Sequence, residues 1–515
     1  MTDQALVSTT LGTVRGCIED GLYVFRGVPY AAPPVGPARW QAAQPHPGWP
    51  GVRDATRYGP SAPQPWRPEG IPAIGRHGEP PFDEDCLTLN VWTPGPDDVG
   101  RPVLVWIHGG GFLSGSGNLP VYAGDTFARD GDMVAVSVSY RLGPLGFLSG
   151  LGDRNAWLTD QAAALRWIAA NVAAFGGDPA RITLAGQSGG AFSVAALAQR
   201  PDTRGLFQRG ILQSPPAGVD LPTAEDAMAH TAALARLLGH ADLEGLRREP
   251  WQRLIQGTVG LMAQNAAFGQ WNLAFRPVID EATLPEDPMA TLADSDVDLI
   301  IGWTSDEAAF AFGFDPAYNT TTREQVIAWA AGRYAGAAAA LYDAHAAVSP
   351  GAKPLDVLIQ IFTDDFFRRG ALELAERRAH HRPVHAYQFE VRTPRLDGTL
   401  NATHCGELPF TFGNIARWGT PPIVQGLSAA TIGHATDVFH EAWIGFVRNG
   451  SPRHPGAPDW RPYTHVDPAA LVVGADYART VTDATAVISA GLANRLPAAT
   501  RRRRAGRAVD CSWPP

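Results

Sequence analysis

The chain lacks most of what would set it apart from ordinary globular proteins. Of its 515 residues only four are cysteines (Cys17, Cys86, Cys405 and Cys511), and no two stand at CxxC spacing. That excludes a disulfide-built scaffold and gives no zinc-ribbon pattern. Charge of one sign is not in excess by much: 42 Lys and Arg face 51 Asp and Glu, a net −9 that repels nucleic-acid backbones and anionic membranes. No nucleic-acid partner is expected. Long hydrophobic runs are missing too, since VLVWI and MVAVSVSY are strand-sized and far short of the roughly 18 apolar residues that cross a bilayer. The opening MTDQALVSTTLGTVRG has neither the basic start nor the apolar stretch of an export signal. The expectation is a cytoplasmic protein with reduced thiols and no membrane partner.

What is there is globular: 45% hydrophobic residues, 18% charged, with no repeat and no long low-complexity linker. Residues 1–500 therefore read as one domain and residues 501–515, with the charge run Arg501 to Arg504, as a basic disordered tail. Short β-rich runs at Val103–Ile107, Met133–Val138, Ile182–Ala185, Gly210–Gln213 and Asp298–Gly302 alternate with helix-length segments. This pattern predicts an α/β fold with a central, mostly parallel sheet. DQAAALRWIAANVAA, Asp160 to Ala174, has helical spacing and is stopped by FGGDP. Two tracts of helical periodicity, at about 222–296 and 308–381, are expected to be large insertions over the sheet. Thr223 with Asp226 forms a helix-start pair, and Gly239 ends that run.

The sharpest local feature is Arg181 to Gly190, RITLAGQSGG, followed by AFSVAALAQR: an apolar strand, a G-x-S-x-G turn, then a helix-forming segment. A serine in such a turn projects its hydroxyl clear of the sheet, and the helix behind it brings free N–H groups toward a developing oxyanion. Ser188 is the candidate nucleophile. After the strand VLVWI comes His108-Gly-Gly-Gly-Phe112, a loop whose backbone amides can donate to a carbonyl oxygen. A serine hydroxyl also needs a base held by an acid. Glu307 follows the strand DLIIGWTS and His404 lies in NATHCGE, with Asp306 and Glu407 as competing carboxylates; spacing alone leaves any of 14 histidines open as the base.

Taken together, these segments resemble the type-B carboxylesterase family, which includes the cholinesterases, within the α/β-hydrolase fold. The resemblance runs through FRGVPYAAPPVGPARWQAAQP (Phe25 to Pro45), EDCLTLNVW (Glu84 to Trp92), WIHGGGF, YRLGPLGFL (Tyr140 to Leu148), ILQS (Ile211 to Ser214), WTSDE, THCGELPFTFG (Thr403 to Gly413) and AWIGFVRNGSP. It implies Ser188 as nucleophile, His404 as base and Glu307 as orienting acid. It further implies Gly110, Gly111 and Gly189 as oxyanion donors, Ser214 and Gln187 as supporting residues, and Phe192, Phe112 and Phe310 as substrate-binding side chains. Departures from the family pattern are Ala62 where a cysteine commonly pairs with Cys86, Gln187 where glutamate is usual, Ala308 for the usual glycine and Gly189 for the usual alanine. Cys86 is therefore expected to be a free thiol, and the glycine at 189 to loosen the elbow slightly.

The function expected is a serine carboxylesterase that forms an acyl-enzyme on Ser188, with no metal or cofactor and a small-molecule ester as its partner. Short to medium acyl groups and bulky or aromatic alcohols are favoured over long-chain lipid, because nothing reads as an interfacial lid. Trp66, Phe82, Phe268, Trp271, Phe275, Phe310 and Phe312 are the aromatic residues expected around the site. With His404 as base, kcat/KM rises with an apparent pKa near roughly 6.5. An amidase or carbamate hydrolase using the same triad is the alternative, and a non-catalytic cholinesterase-like interaction protein the more distant one. His380, His381 and His385 read as a polar surface segment rather than a metal site. A monomer or small homo-oligomer is expected.

Overall fold

The computed structural model describes residues 5–66, 80–271, 273–395, 398–419, 421–453 and 458–484; the 501–515 tail and Cys511 lie outside them. Among the described residues, alternating β-branched and apolar segments pair into two sheets. The strands are β1 (Leu6–Thr9), β2 (Gly12–Arg15), β3 (Cys17–Glu19), β4 (Leu22–Pro29), β5 (Val52–Asp54), β6 (Thr88–Thr93), β7 (Arg101–Ile107), β8 (Val134–Val138), β9 (Gly177–Gln187), β10 (Arg209–Gln213), β11 (Asp298–Thr304), β12 (Val384–Phe389), β13 (Ala470–Val473) and β14 (Ala478–Val481). A small sheet has the order β1-β2-β5, and an 11-stranded sheet the order β14-β13-β12-β11-β10-β9-β7-β8-β6-β4-β3.

From β8 across to β13 every pairing is parallel, and the antiparallel pairs sit at the two flanks. The strands in the middle are buried on both faces, β7 and β8 along their whole length, as a sheet covered by helices requires. Hence their sequences read as continuous apolar runs rather than alternating ones. In register, Gln187 of β9 lies beside Gln213 of β10, which lies beside Gly302 of β11. The C-terminal ends of these three strands therefore reach the same level, where an open α/β sheet places its ligands.

The helix expected from Asp160 spans Ala156–Asn171, one turn earlier, because the Asn155 carbonyl already accepts the N–H of Leu158 and Thr159. It tightens into a 3₁₀ turn, Val172–Phe175, and stops at Gly176 with φ +82°. Arg141, just past β8, is bound to this helix by an almost completely buried ion pair with Asp160, at 2.5 Å and 2.8 Å. A third bond runs from the Arg141 guanidinium to the Arg39 carbonyl, 2.9 Å.

The 222–296 tract folds as helices Ala224–Leu237, Trp251–Gln264 and Pro288–Leu292. Thr223 and Asp226 exchange backbone-to-side-chain bonds of 3.1 and 3.2 Å, the reciprocal cap their spacing predicts. Within 308–381 lie Ala309–Phe312, Arg323–Tyr334, Ala338–Val348, Pro354–Thr363 and Arg369–Ala379, the last two joined by a π turn, Asp364–Arg368. Inside this π turn Asp364 is bonded by His345 at 3.0 Å and by Arg368, and Arg368 donates to the Ser305 carbonyl at 2.9 Å. The turn is thereby tied to the loop after β11.

Candidate active site

Ser188 stands between β9 and the helix Gly189–Gln199 with φ +57° and ψ −124°, a conformation unfavourable for a residue with a side chain. The residues two positions away on either side must be glycines. A Cβ at Gly186 would lie 2.4 Å from the Gly190 carbonyl, and one at Gly190 would lie 2.1 Å from the Ile107 carbonyl. The Ser188 N–H continues the parallel ladder to the Gln213 carbonyl at 2.8 Å, so the turn is fixed from the sheet side as well.

Among the described histidines, His404 is the one at this point. His404 Nδ1 is bonded to Glu307 Oε2, the His404 N–H reaches the Glu307 carbonyl at 3.3 Å, and Glu307 Oε1 accepts from the Thr304 N–H at 2.7 Å. With Nδ1 donating to the carboxylate, Nε2 carries the lone pair that a general base needs. Nε2 lies 3.0 Å from the Gln187 amide nitrogen, which donates to it. No hydrogen bond joins His404 to Ser188 Oγ among the described residues. His108, by contrast, is a packed side chain: it stacks on Tyr140 at 4.4 Å, and burial pushes its pKa down to about 4.

The competing carboxylates separate by environment. Asp306 is held by Ser305 at 2.6 Å and Gln360 at 2.8 Å and makes no bond to His404. Glu407 is wholly buried, accepts from Gln213 at 3.2 Å and has one oxygen with no partner. Burial first, and then the Glu307 charge, push it up to about 8. Of the two buried glutamates, only Glu307 is bonded to the imidazole.

The glycine loop lies against the elbow. Gly110 has φ +115° and a Cβ there would strike the Ser114 carbonyl at 1.9 Å, so the loop conformation belongs to glycine. Among the described residues the N–H groups of Gly110, Gly111 and Gly189 have no protein acceptor. A Cβ at Gly189 would sit 3.1 Å from the Phe112 ring, so the glycine in place of alanine leaves that ring closer to the elbow.

Of the side chains expected to bind substrate, Phe310 lies 5.5 Å from the His404 ring. Phe112 and Phe192 do not line an open site: each is 1% exposed, and they pack on one another and on Trp157, with Phe147 against Phe112. Volume-filling aromatics behind the elbow have gone to the core. Ser214 stands at the end of β10 with φ +49°, its N–H bonded to the Gly302 carbonyl at 2.8 Å and its hydroxyl without a partner. It sits beside the elbow yet is not bonded to the triad. Trp271 ranges over the site, 6.0 Å from His404 and 5.5 Å from Phe310, and it approaches Gly111. Phe268 stacks on Tyr318 and Phe312 lies tilted against it, Phe82 packs on Trp251, Phe275 is buried, and Trp66 is exposed.

Sequence reasoning missed Phe367, whose ring is 4.9 Å from His404. It comes from the π turn, and the extra residue there turns both Phe366 and Phe367 toward Trp271. No residue pattern announces a π turn, although such turns recur near functional sites. Cys86 is a free, buried thiol next to the core, as are Cys17 and Cys405 free, and Ala62 is buried as well.

A serine at a strained strand-to-helix turn, a histidine bonded to a buried carboxylate and unpaired glycine N–H groups make a constellation for acyl transfer. Comparison with known proteins agrees. A profile described as the Carboxylesterase family matches residues 3–486. The chain belongs to the carboxylesterase family. A relative from Pseudarthrobacter oxydans, phenmedipham hydrolase, is 58% identical over 94% of this chain and 98% of its own. The para-nitrobenzyl esterase of Bacillus subtilis is 35% identical over 88% of this chain and 91% of its own. Among solved structures, a Geobacillus stearothermophilus carboxylesterase superposes with a TM-score of 0.83 at 33% identity, covering 94% of this chain and 99% of that one. The protein is thus a carboxylic-ester hydrolase on an α/β-hydrolase fold. No helix among the described residues is long and apolar enough to cross a membrane.

Proposed function

We propose that this carboxylesterase works through an acyl-enzyme on Ser188, with His404 as general base and Glu307 as the acid that orients it. The observation that carries the reading is the bond from His404 Nδ1 to the buried Glu307 carboxylate, made at the level of the strained serine. As substrate binds, the Ser188 hydroxyl takes the place of the Gln187 amide on His404 Nε2. Oγ attacks the carbonyl carbon while Nε2 accepts its proton, and Glu307 stabilises the imidazolium. The oxyanion is received by the N–H groups of Gly110, Gly111 and Gly189. The imidazolium then protonates the leaving alcohol, and water repeats the sequence to release the acid.

The ring of Trp271, Phe310 and Phe367 around His404 favours esters of short to medium acyl groups with bulky or aromatic alcohols. A carbamate reading is favoured by the relative named phenmedipham hydrolase, since that compound is an aryl carbamate and its carbonyl suits the same attack. The free thiols of Cys17, Cys86 and Cys405 support a cytoplasmic location. The test is hydrolysis of p-nitrophenyl esters from acetate to octanoate and of a phenyl carbamate. Ser188→Ala and His404→Ala are expected to lose roughly a thousandfold or more in kcat/KM, and Glu307→Gln a comparable factor. Near-wild-type rates in folded Ser188→Ala enzyme would sink the reading.

A further inference from the structure

The three histidines of the 380–385 segment part company in the fold. His385 lies on β12 against Phe446 and Trp460, and burial drives its pKa down to about 4. His381 is exposed, 3.9 Å from Asp294. His380 instead meets Glu376 and, from far along the chain, His465. Glu376 precedes it by one turn at the end of helix Arg369–Ala379, and because His380 retains helical backbone angles the two share a face. His465 is brought alongside by the chain returning to the sheet, where the Tyr463 N–H bonds the carbonyl of Val384, the first residue of β12, at 2.7 Å. The imidazoles of His380 and His465 are 4.5 Å apart, and His465 Nδ1 is 3.2 Å from Glu376 Oε1.

We propose that Glu376, His380 and His465 form a binding site for a divalent transition-metal ion of the zinc type. One ligand atom from each of the three lies within 4.8 Å of the others. Zinc at about 2.0–2.1 Å from each ligand needs them roughly 3.3 Å apart, a contraction within reach of exposed imidazole rotations. Two imidazoles and one carboxylate suit zinc, and the same set excludes the hard cations calcium and magnesium, which take oxygen ligands. The carboxylate is prepared for the role. Its other oxygen accepts a 2.7 Å bond from the Tyr463 hydroxyl. Tyr463 is thus the outer group that aims a ligand. Solvent supplies the remaining position.

This site is at the N-terminal end of β12, and the Ser188 elbow is at the C-terminal end of β9 in the same run of parallel strands, so the two lie at opposite ends of the sheet. Metal here fastens the 458–467 segment to helix Arg369–Ala379 and leaves ester hydrolysis alone. Isothermal titration of the metal-stripped full chain with zinc chloride tests it, with Tm followed in parallel. Expected is saturable uptake of one zinc ion and a raised Tm, both lost in His465→Ala and His380→Ala. Affinity falls about tenfold in Tyr463→Phe and is unchanged in His381→Ala. All variants should hydrolyse p-nitrophenyl acetate at the wild-type rate, which establishes that they are folded. Absence of saturable uptake at sub-millimolar zinc, or uptake that His465→Ala and His380→Ala leave intact, overturns the proposal.

Discussion

At the scale of single residues, Glu407 carries the clearest titration signature near the site. It is buried beneath the triad, and its pKa stands at about 8, raised by burial and by the charge of Glu307. The folded chain therefore holds a proton on Glu407 that the unfolded chain releases at the ordinary carboxylate pKa of about 4.3. Between these values the folded state binds more protons, so this group's contribution to stability is fully present below about pH 4 and is lost as pH rises through about 8. Glu407→Gln, which cannot ionise, is expected to escape that loss. Its Tm relative to wild type should improve on going from about pH 5 to about pH 9, where the buried carboxylate of the wild type is forced to ionise. A Tm difference that stays constant across the range would count against a neutral Glu407. The same crowding gives a reason for Gln187 in place of the usual glutamate: a third carboxyl beside Glu307 and Glu407 would add negative charge to a water-poor space, whereas the amide donates to His404 without charge.

At the scale of elements, the most exacting joint is the one that Arg141 makes between the end of β8 and the helix Ala156–Asn171. Both partners are at most 1% exposed, and the guanidinium is divided between Asp160 and the Arg39 carbonyl. Removing one charge leaves the other buried and uncompensated, at a cost of about 3–5 kcal/mol. Asp160→Ala should lower the unfolding free energy obtained from urea titration by that much, and Arg141→Met with Asp160→Leu together should recover a large part of it. A single substitution with no effect would mean that water reaches the pair. The elements themselves were largely readable. The strand runs, the Thr223 cap and the G-x-S-x-G turn each depend on local chemistry, which the sequence carries directly. β9 was read from Ile182 only, because its first half, GDPAR, is polar and turn-like and becomes strand through pairing of Gly177 with Arg101. The π turn at Asp364–Arg368 was illegible for a similar reason. It is held by His345, Arg333 and Ser305, residues remote in sequence, and no local propensity encodes it.

At the scale of the whole molecule, the sheet serves as a ruler. Ser188, Ser214 and Glu307 follow the ends of three neighbouring parallel strands, and the register that aligns Gln187, Gln213 and Gly302 brings a serine and a glutamate more than a hundred residues apart to one level. Local spacing could nominate Glu307 and His404 but could not choose them over Asp306, Glu407 or the other histidines; long-range packing makes that choice. Phe112 and Phe192 show the converse limit, since a bulky aromatic near a nucleophile has the same sequence signature whether it meets substrate or fills the core. The central claim is a covalent intermediate on one serine. It is tested most directly by mass spectrometry of the enzyme quenched during turnover of a slowly released phenyl carbamate, followed by peptide mapping. The account predicts a single carbamoyl adduct on the peptide containing Ser188, absent from Ser188→Ala. Turnover without an adduct, or an adduct on another residue, would contradict it.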